Sequence, residues 1–346
     1  MKVRIIAFSR RGCELAHDVS RALTGHECRV YSKTSADAAG TERIDGSVSV
    51  WTGESFESSD AVIFIGAAGI AVRYISPFLK DKTVDPAVIC MDEKGMFVIH
   101  LLSGHIGGAN DLAEEIAEAV GSVPVITTAT DIHGRFSADS FAVKNGLHIG
   151  SMSAAKDISS LIVDGRKVGL VSEVPISGSI PPELDTGGNE DAGIFISYGR
   201  SKGPFKRTLK LTPKCHILGI GCRKGTREED IEALVNAVLE KADISVKSIR
   251  KVASIDLKSG EKGLLEFSEK IKAEPVFFSS EELSSLPDTG FTASERVRAV
   301  TGVDNVCERA AAAASENGEI IVRKTSGNGV TVAVAREPVC LDMMGK

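Results

Sequence analysis

The segment Leu101-Leu102-Ser103-Gly104-His105-Ile106-Gly107-Gly108-Ala109-Asn110-Asp111 is the densest gathering of chemically able residues in the chain. An imidazole titrates near neutral pH, so His105 is a candidate to give, take or relay a proton. Residues without a Cβ let a ligand approach the backbone, which makes Gly104, Gly107 and Gly108 candidate substrate contacts, with Asn110 beside them. The segment joins the end of an apolar run to the start of a helical pattern, where N–H groups and the helix dipole favour an anion. A tight turn with His105 bonded into it accounts for the same residues equally well. Asp111, Glu114 and Glu115 also already answer the dipole.

A second cluster is Thr127-Thr128-Ala129-Thr130-Asp131-Ile132-His133-Gly134. Polar residues just past a strand end are typical of the ligand crevice of open α/β sheets. Thr128 is a candidate contact there, and Asp131 and His133 are candidate acid–base groups able to position water and move protons. Helix capping by Thr130 or Asp131, with a surface His133, is the competing reading.

The third is Gly219-Ile220-Gly221-Cys222-Arg223-Lys224-Gly225-Thr226. A glycine-rich turn carrying Arg223 and Lys224 at a helix start can hold a carboxylate or phosphate. Cys222 beside two cations is a candidate for a lowered pKa and a nucleophilic role. The turn is also similar to the glycine loop of S-adenosylmethionine methyltransferases, although Arg223 and Lys224 stand where that loop favours small residues. Walker A, GxSxG and HExxH patterns are absent, which removes the NTPase, serine hydrolase and zinc protease readings that rest on them.

These segments need strands and helices to hold them. Val3–Phe8 and Ala61–Ile65 read as buried parallel strands, each feeding a polar or glycine-rich loop. Val123–Thr127 is a further strand. A helix with Leu112, Ile116 and Val120 on one face is expected to start on Asn110 as its cap and to stop at Gly121. The alternation predicts an α/β protein whose N-terminal domain, residues 1–130, is a doubly wound open sheet. Residues 131–214 predict a small β-rich middle region. Residues 215–346 predict a C-terminal α/β domain, with a capping box between Thr226 and Glu229 at the start of its first helix.

Composition narrows the class. Across 346 residues, 42% hydrophobic and 25% charged residues are the balance of a globular protein. A net charge of −6 argues against a general nucleic-acid binder. The seven cysteines are scattered without a CxxC pair, as expected of reduced thiols in the cytoplasm. No ligand cluster at metal spacing occurs, so no protein-bound metal is expected. No stretch approaches the roughly 20 apolar residues of a membrane span, and the start does not read as a signal peptide.

Taken in order, Ser103–Asn110 with Val125–Asp131, then Gly219–Thr226, Ala253–Lys258, Gly263–Glu266, Gly302–Glu308 and Gly329–Ala335, resemble the cobalamin biosynthesis G-type proteins over essentially the whole chain. The resemblance implies a hydrolase of the anaerobic cobalamin pathway. That activity opens the ring-A acetate lactone of cobalt-precorrin-5A and releases the methylated meso carbon as acetaldehyde, leaving cobalt-precorrin-5B. It also implies that cobalt arrives with the substrate, so no cofactor is expected, and that other enzymes of the pathway are candidate partners. Water attack on the lactone needs a base and oxyanion donors, which His105 and the glycine-loop amides can supply. The later carbon–carbon cleavage needs a base and then an acid, for which Asp131 and His133 stand ready. The substrate is a polycarboxylate, so Arg10, Arg11, Arg73, Arg223, Lys224 and Lys324 are candidate anchors. A non-catalytic corrinoid carrier or scaffold of the same pathway is the alternative, with a methyltransferase using the Gly219–Gly225 turn behind it.

Overall fold

Ala61–Ile65 (β4) is buried at all five positions, which is why Ala-Val-Ile-Phe-Ile reads as an unbroken apolar run: both faces of the strand are covered. The computed structural model describes residues 1–34, 40–81, 84–128, 135–287 and 290–343. The chain divides into two units, Met1–Val143 and Lys144–Lys346.

In the first unit β4 lies inside a seven-stranded sheet among the described residues. Its other strands are β1 (Lys2–Ala7), β2 (Glu27–Ser32), β3 (Glu42–Arg43), β5 (Ala87–Met91), β6 (Phe97–Leu102) and β7 (Val123–Val125), in the order β3-β2-β1-β4-β5-β6-β7. The helices are α1 (Arg10–Ala22), α2 (Val48–Ser58), α3 (Ala68–Ile75) and α4 (Ala109–Val120). Cys13, Ala16 and Val19 of α1 and Leu112, Ala113 and Ile116 of α4 cover one face over Val3, Ile5 and Ile63. On the other face Trp51 of α2 and Ile75 of α3 pack with Tyr31 and Phe64. The expected doubly wound sheet is therefore present.

Strand direction matters most for the site. β1 to β5 are mutually parallel, but β6 pairs antiparallel with β5, and β7 follows β6 in parallel. The loops after β1 and β4 leave the sheet at one edge, at the point where strand order reverses and such folds open a crevice. The loops after β6 and β7 leave at the opposite edge, since Leu102 at the end of β6 lies beside Val88 at the start of β5.

Two local expectations change. Gly108, not Asn110, caps α4: it is left-handed at φ +77°, and Asn110 is already inside the helix. α2 was not foreseen, because Val-Ser-Val-Trp-Thr-Gly-Glu-Ser-Phe-Glu-Ser carries β-branched and hydroxyl residues rather than an apolar helical stripe. Burial against the sheet overrides that propensity, and the buried Thr52 and Ser55 hydroxyls donate to the carbonyls of Val48 and Trp51.

The first unit closes on α5 (Ala138–Lys144), which runs into the second. The second unit begins with a five-stranded sheet in the order β11-β9-β12-β13-β8. Its strands are β8 (Leu147–Ile149), β9 (Val168–Ser172), β11 (Leu184–Asp185), β12 (Ala192–Ile196) and β13 (Arg207–Pro213). All pairs are parallel except β13 with β8. A helix not expected from the sequence, α6 (Met152–Val163), packs with it, and Ser151 caps this helix by accepting from Ala154 N. The region expected to be β-rich is thus itself an α/β layer. β10 (Ile176–Ser177) pairs with β19 (Leu341–Asp342) near the C-terminus.

The last sheet has the order β16-β15-β14-β18-β17: β14 (His216–Cys222), β15 (Ile249–Ile255), β16 (Glu274–Phe278), β17 (Glu319–Gly327) and β18 (Val330–Arg336). α7 (Glu228–Lys241) and α8 (Lys262–Ile271) bury Ile231, Val235, Leu264 and Phe267 on one face. Short helices α9 (Ser280–Ser285) and α10 (Glu295–Thr301) precede α11 (Val306–Ala314), whose Ala310 and Ala311 pack on the other face. The expected capping box is not formed. Arg227 is the N-cap of α7, and the Thr226 hydroxyl donates instead to Arg223 O.

His216, at the start of β14, is fully buried. Its Nδ1 lies 2.9 Å from Ser248 Oγ, and Ser248 Oγ donates to Ser245 O, so the imidazole donates at Nδ1. Burial, with the Arg336 guanidinium second, pushes its pKa down to about 4. A folded-state pKa below the ordinary value of about 6.5 means that the unfolded chain takes up the proton first as pH falls. The stability is complete above pH of about 6.5 and is lost between there and about 4, on the order of 3 kcal/mol in total. Urea titrations followed by far-UV circular dichroism across this window should show the loss, and His216→Gln should flatten it. An unchanged slope in the variant would assign the acid sensitivity to other groups.

Candidate functional site

The loop between β6 and α4 is shaped by contacts of its own backbone. Ser103 is left-handed at φ +57°, and its buried hydroxyl donates to Asp85 O at 3.0 Å. A Cβ at Gly107 would stand 2.4 Å from Ser103 Cβ, and one at Gly104 would stand 2.7 Å from Asn110 Oδ1. Gly107, which would also meet Ser103 O at 2.8 Å, is therefore demanded by the turn itself, whereas a side chain at Gly104 would have to displace that of Asn110. Three amides of the expected anion site are already in use: Gly108 N donates to His105 O, Ala109 N to Ser103 O and Asn110 N to Gly104 O. Oxyanion support has to come from donors other than these.

This rigid turn presents His105. Its Nδ1 lies 3.3 Å from Asp139 Oδ1, and the two side chains are only 14% and 9% exposed. Asp139 sits in the first turn of α5, where its Oδ1 also accepts from Ser137 Oγ at 2.6 Å and Ser140 N at 3.2 Å. Beside the loop, Asn110 Nδ2 donates to Thr128 Oγ1 at 3.2 Å, joining the ends of the β6 and β7 segments at one sheet edge. Asp139 escaped the sequence reading because Ser137-Ala138-Asp139-Ser140 has the pattern of ordinary helix-start residues. Asp131 and His133 lie outside the described residues.

The candidate anchors Arg10, Arg11 and Arg73 lie elsewhere in the first unit. Arg10 and Arg11 open α1 after β1, at the opposite edge of the sheet from His105. Both are exposed, and Arg10 Nε lies 3.4 Å from Glu14. Arg73 is exposed on α3, the helix that follows β4.

In the second unit, the turn after β14 is shaped by packing. A Cβ at Gly219 would stand 1.8 Å from Cys307 O, so this glycine exists to let α11 lie on the strand. Gly225 N donates to the Glu261 carboxylate, which also accepts from Lys258 Nζ at 3.1 Å. Burial opposes ionisation of Glu261, but the bonds from Lys258 and Gly225 N outweigh it and hold the carboxyl below its ordinary range. The protein's own carboxylate thus occupies one amide of the turn expected to hold an anion. Arg223 and Lys224 remain exposed. Cys222 corrects the expectation of an activated thiol: burial pushes it above its ordinary range against the pull of Lys258.

Comparison with known proteins gives this arrangement its family. Models described as the cobalamin synthesis G N-terminal, the cobalamin biosynthesis central region and the cobalamin synthesis G C-terminus match residues 50–131, 136–213 and 216–335. A relative from Priestia megaterium named cobalt-precorrin-5A hydrolase is 33% identical, over 96% of this chain and 94% of its own. The chain belongs to the cobalamin synthesis G family. A Salmonella typhimurium relative of the same name is 33% identical, over 84% of this chain and 86% of its own. A crystal structure of a cobalamin biosynthesis protein G homolog from Sulfolobus solfataricus aligns at a TM-score of 0.42 and 23% identity, over 97% of both chains.

One segment on which the family resemblance rests turns out to be structural. Within Gly302–Glu308, Asn305 caps α11 by accepting from Glu308 N. Glu308 is fully buried and accepts from Thr292 N and Lys324 N at 2.7 Å, and from Thr292 Oγ1 and Asn305 Nδ2 at 2.9 Å. Lys324, a candidate anchor, contributes its backbone to this hub.

Proposed function

We propose that this chain hydrolyses cobalt-precorrin-5A to cobalt-precorrin-5B, opening the ring-A lactone and releasing acetaldehyde, with His105 as an acid–base group. The observation that carries the site is His105 paired with the buried Asp139 at the head of a rigid glycine turn. Family membership across nearly the full length of relatives named for this reaction carries the substrate. Lactone opening begins when a base takes a proton from water as its oxygen attacks the acyl carbon. The acyl–oxygen bond then breaks, and the departing alkoxide regains a proton. Loss of acetaldehyde requires that the freed hydroxyl give up its proton. Its oxygen then forms the carbonyl, while the electron pair of the broken carbon–carbon bond returns to the macrocycle and is protonated there. An imidazole can serve both directions of such transfer. The cobalt is part of the substrate, and the reading assigns the protein no metal of its own. It places the reaction in the cytoplasm, beside the other enzymes of the cobalamin pathway.

The test is to incubate purified protein with cobalt-precorrin-5A and measure acetaldehyde by trapping and the corrinoid product by mass spectrometry. Repeated release of acetaldehyde per protein molecule is the expected result, unchanged when the protein is first treated with chelator. Stoichiometric binding with no acetaldehyde would make the chain a carrier. Loss of turnover on chelation, restored by zinc, would reveal a protein-bound metal.

A further inference from the structure

We infer that Asp139 is the positioning residue of this site: it orients the His105 ring and fixes its proton on Nδ1. The inference rests on the acid–base reading of His105 given above. A neutral imidazole has two tautomers, and a carboxylate facing one nitrogen selects the form that carries hydrogen there. Here the carboxylate faces Nδ1 at 3.3 Å, which leaves the lone pair on Nε2 as the basic position. The separation is slightly longer than an ordinary N–H···O bond and is within ion-pair reach, as is common where catalytic contacts tighten when substrate binds.

The carboxylate is itself fixed. Ser137 Oγ and Ser140 N both donate to the Oδ1 that faces the ring, so Asp139 cannot turn away without breaking two bonds. Ser137 Oγ also accepts from Ser140 N at 3.3 Å, which locks the helix start that carries Asp139. On the other side the backbone that carries His105 is tied down, because Gly108 N donates to His105 O and Ala109 N to Ser103 O. A carboxylate that stabilises the imidazolium as it forms lowers the barrier to proton uptake, an effect absent before the proton moves.

Four variants decide the matter: His105→Ala, Asp139→Asn, Asp139→Glu and the His105→Ala/Asp139→Asn double, each assayed for acetaldehyde release after its thermal transition is checked. Asp139→Asn should lower kcat on the order of 10²- to 10⁴-fold while KM stays within about threefold. Asp139→Glu should restore part of the loss, and the double variant should be no slower than His105→Ala alone. Nitrogen-15 NMR of labelled histidine should find His105 as the Nδ1–H tautomer in the wild type and as a mixture in Asp139→Asn. Wild-type turnover in a folded Asp139→Asn beside an inactive His105→Ala would overturn the positioning role and leave the reading of His105 intact. An Nε2–H tautomer in the wild type would overturn it even if every Asp139 variant misfolded. Full turnover in His105→Ala would remove the reading of His105, and the inference with it.

Discussion

His105→Ala should retain its fold and its affinity for the tetrapyrrole while losing turnover by about 10²- to 10⁴-fold, the contribution usual for a single acid–base group. The fold should survive because His105 lies in a turn whose shape is set by Ser103, Gly104, Gly107 and Gly108 rather than by the imidazole. The Asp139 carboxylate that faces the ring still accepts from Ser137 and Ser140 when the ring is gone. Affinity should survive because a macrocycle with many carboxylates draws its binding from many contacts, of which one imidazole is a small part. Single-turnover acetaldehyde release, set beside equilibrium binding of the corrinoid by absorbance, separates the two quantities. A loss of binding as large as the loss of turnover would make His105 a substrate anchor. Near-normal rates would return it to the turn.

Glu308→Ala should do the reverse, lowering stability on the order of 3–5 kcal/mol and leaving the rate per folded molecule unchanged. Removal of the carboxylate strands donors from three places at once: Thr292, the cap residue Asn305 and the backbone of Lys324 in β17. Buried donors without acceptors carry their full desolvation cost. Hydrogen exchange at the amides of α11 is the direct measure, since the chain's only tryptophan, Trp51, belongs to the other unit. Unchanged exchange together with lost turnover would move Glu308 from architecture to chemistry.

These two residues show what a sequence can disclose. The loop around His105 stood out because histidine among glycines is a local pattern. Its partner 34 positions later, Asp139, did not, because only the fold brings the turn after β6 against the start of α5. β4 was legible since burial on both faces leaves a continuous apolar run. α2 was not, since Thr52 and Ser55 hide their hydroxyls in backbone bonds that composition does not reveal. Glycines misled in a consistent way. Gly219 looked like room for a ligand and is room for Cys307 O, while the Gly225 amide holds Glu261. Cys222 shows the same limit, because neighbouring cations are visible in a sequence and burial is not. The sites expected at Asp131 and His133 fall outside the described residues.

The reversal of β6 and β7 gives a single sheet two rims at which chain segments can vary. Loops on one rim share neighbours and must change in concert. Loops on opposite rims are insulated by the length of a strand, roughly 17 Å for the five residues of β4. Substitutions in Ser9–Arg11 and in Ser103–Gly108 therefore fall in the regime where free-energy effects simply add. Each rim can therefore be altered without disturbing the other, and each can be engineered as a separate module of the same scaffold.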